Sequence, residues 1–302
     1  MVWLKETISN LFLNCFMPQL SALYNGVSIY VKDINREIKL TGLVIGGTLD
    51  MPAKTLFLCM KQYNSLYGCH KCKTKTIKIS NRRVYTRTNN INLRTTNETL
   101  EFAKIGTKIK PVFGVTGPTI VSKFVPDFIK TTKLDPMHMI SGITKMLLRF
   151  WVSVDYSIHP ASLSTYSKII NTRLLSMRVP SFVEHLPRST DDYKYWQAWE
   201  LIMFLIYYSI PILSDIMQEK YFKHHTLLVL AIYLLSQKSI SHGDINDSSV
   251  LLQQYVSDFK ELYGEKYMSC NLHSLLHLCE STVEFGNLWF VSCFSFENAN
   301  GI

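Results

Sequence analysis

Two short motifs of cysteine and histidine are the residues of this chain best suited to hold a metal ion. Cys69 and Cys72 form a C-x-x-C pair, and His273 and His277 lie four residues apart. Histidines at i and i+4 share one face of a helix, and two such cysteines can bind one ion as thiolates. We therefore predict a four-ligand structural zinc site, closed by a loop of about 200 residues. Two alternatives stay open: a redox-active C-x-x-C, and two unrelated helix histidines.

Two acidic residues stand at positions where carboxylates often do chemistry. Asp50 ends a β-rich stretch just before a helix, and Glu297 follows an apolar run. Carboxylates brought together from distant segments can hold two Mg²⁺ ions about 3.5–4 Å apart for phosphoryl transfer. The alternative is structural: Asp50 would favour a helix N-terminus through the helix dipole, and Glu297 would be solvated.

A third motif, Asp-Pro-Met-His, precedes a strongly apolar helix. Asp135 is typical of an N-cap residue, and His138 lies in the first helical turn. We predict that the His138 ring is either packed or bonded to a carboxylate. A cap alone would account for the Asp135 position.

Basic residues are concentrated between Lys71 and Arg94, a stretch without any Asp or Glu. Such a patch is typical either of a phosphate-contacting surface or of a merely solvated face. The residues that we assign to DNA contact are Lys73, Lys75, Arg82, Arg83 and Arg87.

Periodicity predicts a small α/β part followed by a long helical part. The predicted strands are 27–31 and 38–45, and the stretch 68–97 reads as short strands and loops. A Gly- and Pro-containing segment at 106–118 is a natural boundary. The predicted helices are 8–24, 53–62, 135–152, 161–176, 191–217, 219–237, 246–263 and 271–281, and 288–296 is predicted to be extended.

Composition excludes a disordered chain and argues against a membrane span. Hydrophobic residues make up 47% of the 302 residues and aromatic residues 12%, which is enough to build a core. The longest apolar run, 201–213, has 13 residues, whereas a span needs about 20.

The seven cysteines are an odd number, which favours a reducing compartment. A net charge of +9 favours a polyanionic partner.

Taken in order, these motifs resemble those of CACTA-like (En/Spm-type) DNA transposases. The segment Asp50-Met51-Pro52-Ala53-Lys54 looks like the family's D-x-P-A-[KR] block, and Tyr67-Gly68-Cys69-x-x-Cys72 looks like its Y-G-C-x-x-C block. The resemblance covers about residue 12 to the end. Further matching segments are Met60–Asn64, Asp135–His138, His185–Ser189 with Trp196 and Glu200, Phe259–Gly264, Asn271–Leu278 and Phe294–Asn298.

The resemblance implies a ribonuclease-H-like fold with an Asp-Asp-Glu triad, interrupted by a helical insertion. It implies that Asp50 is the second Asp and Glu297 the Glu, both ligands of Mg²⁺ or Mn²⁺ in an intact site, and that Asp135 and His138 are also catalytic residues. It makes Cys69, Cys72, His273 and His277 zinc ligands. The implied domains are a partial core at 1–105, an α-helical insertion at 106–285 and a return to the core at 286–302.

The family's first catalytic Asp lies on a strand upstream of the segment matched here. We therefore expect a chain truncated at both ends and inactive in DNA cleavage. The implied partners are DNA and either a second copy or a full-length transposase, with no membrane. The expected compartment is the nucleus, or the cytoplasm for a non-functional remnant. A non-enzymatic zinc-stabilised DNA- or protein-binding module and a helical scaffold without a nucleic-acid role are the alternatives.

Overall fold

Helices dominate the fold, as the apolar spacing predicts. A computed structural model describes residues 2–86, 88–179 and 186–294, with the side chains of the first helix from residue 14 onward. Helix takes up more than half of the described residues and strand less than a tenth. The prediction of a mixed, helix-dominated fold is confirmed, while the ribonuclease-H-like core stays a prediction. Within the described ranges, no helix combines the length and the apolar character needed to cross a membrane.

The strands of the described residues pair into small two-stranded sheets. Strands β1 and β2 form an antiparallel hairpin in which Val27 pairs with Leu40, and β4 and β5 form a second one. Strand β3 pairs in parallel with β6. Their bounds are β1 Val27–Val31, β2 Arg36–Leu40, β3 Gly47–Thr48, β4 Ile77–Ile79, β5 Arg82–Val84 and β6 Thr132–Lys133.

The predicted strand 27–31 is confirmed, but the predicted strand 38–45 is too long. It ends at Leu40, because the chain turns back onto the first helix: the Gly42 amide donates to the Leu23 carbonyl over 2.9 Å. An amide used in this way is not available to a sheet partner.

Most helices beyond residue 135 follow the prediction closely. Their apolar faces recur every three to four residues and are buried. The helices are α1 Val2–Asn25, α2 Met51–Phe57, α3 Thr96–Ile105, α4 Phe128–Thr131, α5 Pro136–Val152, α6 Ser167–Leu175, α7 Ala198–Met203, α8 Ser209–Leu213, α9 Glu219–Leu235, α10 His242–Tyr263, α11 Cys270–Ser274 and α12 Leu278–Phe285.

Helix α3 was not predicted, although the sequence carries its signal. Thr95 is the N-cap, and its side chain accepts a hydrogen bond from the Glu98 amide over 3.2 Å. A threonine followed three residues later by a glutamate is typical of a helix start. The polar composition of the stretch outweighed this signal in the prediction.

Three other element predictions need correction. The helix predicted at 53–62 ends at Phe57, because Cys59 has a φ of 49° and the next residues bond to a distant segment. The single helix predicted at 191–217 is split by an extended Trp196 and by a π-helical turn at Phe204–Tyr208. The stretch predicted to be extended begins with a 3₁₀ turn, Leu288–Val291, capped by Asn287.

The chain divides into two compact units. The first consists of the chain up to Lys75 and Ile91–Lys133, and its small core contains Leu58, Val115 and Phe128. The second consists of Thr76–Asn90 and the chain from Leu134 onward. Its much larger core lies between α5, α9 and α10 and contains most of the buried aromatic residues.

Candidate metal centre

The two cysteines lie in an irregular, buried segment between α2 and β4. Cys69 is 4% exposed and Cys72 is 0% exposed. The Lys71 amide lies 3.4 Å from the Cys69 sulfur, and the Arg94 guanidinium donates to the Cys69 carbonyl over 3.0 Å. These contacts hold the loop in one conformation and offer an N–H to a sulfur. Burial of two adjacent sulfurs is typical of a structural site rather than of an exposed redox pair.

The surroundings of Cys72 disfavour its thiolate form. The hydrogen bond with Cys69, and then burial, raise the pKa of the Cys72 thiol. A metal ion that binds here must therefore displace thiol protons, so its affinity depends on pH.

The two histidines present their rings to each other from one short helical segment. His273 lies in α11, and His277 ends a 3₁₀ turn, Leu275–His277. Their Nε2 atoms are 3.4 Å apart. A tetrahedral zinc with Zn–N bonds of about 2.0–2.1 Å needs about 3.3–3.4 Å between two such nitrogens. The Tyr85 ring stacks on His273 with the ring centres 4.6 Å apart, and this contact orients the imidazole.

These four side chains form a compact group that we call the Cys/His cluster. One ligand atom of each residue lies within 4.8 Å of the ligand atoms of the other three. All four residues are buried. The sequence prediction that they come together is confirmed, and the arrangement could hold a metal ion. The members of the Cys/His cluster are Cys69, Cys72, His273 and His277.

Of the two acidic residues singled out in the sequence, Asp50 and Glu297, the structure describes only Asp50. Asp50 is the exposed N-cap of α2, and its Oδ1 accepts a hydrogen bond from the Ala53 amide over 2.7 Å. This is the structural role that was the alternative for Asp50. Glu297 lies outside the described residues, so its relation to Asp50 stays a prediction.

Asp135 and His138 form a second polar group, to which the sequence analysis did not assign Cys293. Asp135 caps α5 by accepting from the Met137 amide over 3.2 Å, and it also bonds the His138 ring. Asp135 also accepts a hydrogen bond from the Cys293 amide, 3.0 Å away and 158 residues along the chain. Of the two roles predicted for the His138 ring, packing or a bond to a carboxylate, the structure shows the bond to a carboxylate. Ligand atoms of Asp135, His138 and Cys293 lie within 4.8 Å of one another.

Hydrogen bonding keeps Asp135 ionised inside the protein. Burial opposes the charge, but the bonds from His138 and the Cys293 amide outweigh it, so the pKa of Asp135 lies below its usual value. A carboxyl whose pKa is depressed by folding stabilises the fold above its unfolded pKa of about 3.9. That stabilisation is lost as the pH falls through the folded pKa.

Replacing Asp135 with alanine is expected to cost roughly 2–5 kcal/mol of unfolding free energy. The helix cap accounts for about 0.5–2 kcal/mol and the stranded Cys293 amide for about 1–3 kcal/mol. Urea denaturation at neutral pH measures the loss. Asp50→Ala, which removes an exposed cap with one bonded amide, is the matched control and should cost only about 0.5–2 kcal/mol. Equal losses in both variants would contradict the role of the Cys293 contact.

The residues of the basic stretch are divided between the two units. Lys73 is paired with Glu98 and its side chain is only 10% exposed, whereas Lys75 is exposed. Arg82 and Arg83 lie on β5, which belongs to the second unit. Arg87 lies outside the described residues.

The first and last residues of this stretch, Lys71 and Arg94, lie inside the protein and not on a solvated face. The Lys71 ammonium donates to the Ile129 and Lys130 carbonyls, and Arg94 donates to the Cys69 and Phe113 carbonyls. Both are buried, with 9% and 5% exposure. Their charges satisfy backbone carbonyls, so neither is free to contact phosphate.

The segment from Arg188 to Glu200 is held together by its own side chains. The Arg188 guanidinium forms a bidentate salt bridge with the Glu200 carboxylate, with N–O distances of 2.6 and 2.8 Å. Glu200 also accepts from the Gln197 amide, and the Trp196 indole donates to the Ser189 carbonyl. These residues therefore fix a turn before α7 and have a structural role.

Comparison with known proteins adds no assignment to this geometry. The Cys/His cluster, the capped Asp50 and the Asp135 group are therefore interpreted from their own chemistry and from the motifs of the sequence. No protein-family model matches the chain, and no curated protein matches it either.

Proposed function

We propose that the Cys/His cluster binds one structural zinc ion. Two thiolates and two imidazoles are a donor set that zinc takes in closed tetrahedral sites. The 3.4 Å separation of the histidine nitrogens supports this geometry. Burial of all four ligands leaves no open position for a substrate, which favours a structural over a catalytic ion. When bound, zinc would supply cross-linking and would hold both thiols as thiolates.

We further propose that the chain is derived from a CACTA-like transposase and binds DNA. One observation carries the proposal. The resemblance implies that two cysteines and two histidines, about 200 residues apart in sequence, bind one zinc ion, and their ligand atoms lie within 4.8 Å of one another. The net charge of +9 supports a polyanionic partner. Partner binding to a second copy or to a full-length transposase, and a nuclear location, belong to the same proposal.

A second candidate is Mg²⁺- or Mn²⁺-dependent phosphoryl transfer on a ribonuclease-H-like core. The observation that favours it is the position of Asp50, two residues after the end of β3, a strand that pairs in parallel with β6. A carboxylate at the end of such a strand is well placed to bind a metal ion. In this reading Glu297 completes the site with Asp50, and Asp135 and His138 support it.

Purified protein is expected to bind DNA in a salt-dependent manner without nicking it. Each phosphate contact contributes about −0.9 to the slope of log K against log salt concentration for duplex DNA, because binding releases counterions. Fluorescence anisotropy between 50 and 200 mM salt, about the range used for such slopes, measures the slope of log K against log salt concentration. A slope near zero would exclude the DNA-binding proposal.

Incubation of supercoiled plasmid with the protein and Mg²⁺ separates the two candidates. Nicking that Asp50→Ala abolishes would establish the phosphoryl-transfer candidate and overturn binding without cleavage. Nicking that Asp50→Ala leaves unchanged would show that Asp50 is not the metal ligand. Because Asp50 is an exposed cap, this variant is expected to stay folded, which thermal unfolding verifies.

A further inference from the structure

A cleft in the second unit combines cationic and aromatic side chains. It lies between β5, the C-terminal half of α5 and the segment before α11, and it has about 470 Å³ of empty volume, including space open to solvent. We call it the basic cleft. Its charged and aromatic lining is Arg82, Arg83, Arg149, Lys266, Phe150, Tyr156 and Tyr267.

Within the described residues, no carboxylate neutralises the cations of the basic cleft. The described part of its lining contains four basic residues and no acidic one. In the described ranges none of the four has a carboxylate within ion-pair distance, whereas the neighbouring Lys260 is paired with Glu265. Unopposed cations around a concave surface raise the local potential for an anion. Arginine is especially suited to phosphate because of its planar fork of donors.

Aromatic rings form the other part of the lining. Phe150 makes T-shaped contacts with Tyr156 and Tyr267, with ring centres 5.0 and 4.7 Å apart. The two tyrosine hydroxyls are 3.3 Å apart, which holds these rings in a fixed relation. Arg149 lies over the Tyr156 ring and Lys266 over the Tyr267 ring, at 5.2 and 4.9 Å. Half-buried rings next to cations are typical of surfaces on which nucleobases stack.

We propose that the basic cleft binds a nucleotide of single-stranded DNA. The phosphate would lie against the arginines and Lys266, and the base would stack on Tyr267. A base in a duplex has both faces covered by its neighbours, so stacking on protein rings requires an unpaired strand. This inference rests on the proposed function only for the choice of DNA as the polymer. The cleft was not foreseen because its residues come from four separate segments.

Anisotropy with a fluorescein-labelled oligothymidylate of about 12 nucleotides, within the usual site sizes of single-strand binders, tests the cleft. Arg149→Gln and Lys266→Gln should each make the salt slope shallower by about 0.7. Lys168→Gln, which removes an exposed lysine of α6 outside the cleft, should leave the slope unchanged. Tyr267→Ala should weaken binding about 5- to 150-fold, and Tyr267→Phe should retain it.

The outcomes separate the cleft from the proposed function. If the wild-type protein binds oligothymidylate and the cleft variants bind equally well, the cleft assignment is overturned while DNA binding stands. If the wild-type protein binds neither single-stranded nor duplex DNA, both proposals fall. Displacement of the oligomer by thymidine monophosphate at equal nucleotide concentration would overturn the polymeric ligand. Thermal unfolding of each variant verifies that it is folded.

Discussion

Protein purified without chelators is expected to contain one zinc ion per chain, and Cys72→Ser is expected to lose both the zinc and much of its stability. Serine lacks a thiolate, and Cys72 is completely buried beside its partner ligands. Structural zinc sites contribute folding free energy directly, about 10–16 kcal/mol in isolated zinc-finger peptides at neutral pH. For this larger core we expect a loss of about 5 kcal/mol or more. That corresponds to a fall in Tm of roughly 10–20 °C.

Elemental analysis gives the zinc content, and circular dichroism during heating gives Tm. Cys15→Ser is the matched control for the thiol, because Cys15 is exposed and outside the cluster. His277→Gln and the exposed His242→Gln form the corresponding histidine pair. A wild-type protein without zinc or any other bound metal ion would refute the Cys/His cluster as a metal centre, whatever the variants do.

Acidification from pH 7.5 to 5 is expected to cost the fold about 4 kcal/mol through two adjacent histidines of α9. The His224 Nε2 lies 2.8 Å from the Tyr255 carbonyl, so it must carry the proton. The Ser209 hydroxyl donates to the Leu205 carbonyl, so the His225 Nε2, 2.7 Å from that hydroxyl, must donate to it.

Protonation of either histidine would place a second N–H inside the core. Neither Nδ1 has a hydrogen-bond partner in the part of the chain that the structure describes. Burial lowers the pKa of His224 to about 4 and that of His225 to about 3, and at His225 the adjacent His224 adds to the shift. Both groups are therefore neutral in the folded protein at pH 5.

The sign of the effect follows from the depressed pKa values. The unfolded chain takes up a proton at each histidine below about pH 6.5, whereas the folded chain does not. Stability is thus complete above pH 6.5 and falls by about 1.4 kcal/mol per pH unit and histidine down to the folded pKa. Over 1.5 pH units, about 2 kcal/mol per residue is lost.

Urea denaturation of wild type and of His224→Gln/His225→Gln at both pH values measures this contribution. Glutamine can donate to the same acceptors but does not titrate. The double variant should lose about 4 kcal/mol less than wild type between pH 7.5 and 5, even if it is less stable at both. The exposed His242→Gln should behave like wild type. Equal pH dependence in wild type and double variant would disprove neutral burial.

Helix starts and apolar faces could be read directly from the sequence. The N-cap Asp135 and the apolar spacing after it predict α5 almost to the residue, because capping and amphipathic packing act within one or two turns. The Cys/His cluster could also be predicted, since its ligand types and spacings restrict the chemistry. Even α3 carried a local signal in Thr95 and Glu98.

Other features depend on contacts between residues far apart in sequence. The end of α2, the burial of Lys71 and Arg94 and the bond between Cys293 and Asp135 have no counterpart in local composition. A basic side chain looks the same in a sequence whether it faces water or a ring of backbone carbonyls. Only the packed chain decides which of the two it meets, because the free energy of burying a charge depends on partners that other segments supply.

The residue types and spacings of Cys69, Cys72, His273 and His277 were thus determined by the sequence alone, and so was the helical setting of the histidines. The fold decided that their ligand atoms lie within 4.8 Å of one another, that Tyr85 orients His273, and that separate cations and tyrosines line one cleft. The physical reason is the separation along the chain over which each interaction acts. Capping and periodicity act over a few residues, whereas metal, stacking and charge interactions need side chains that only tertiary packing brings together.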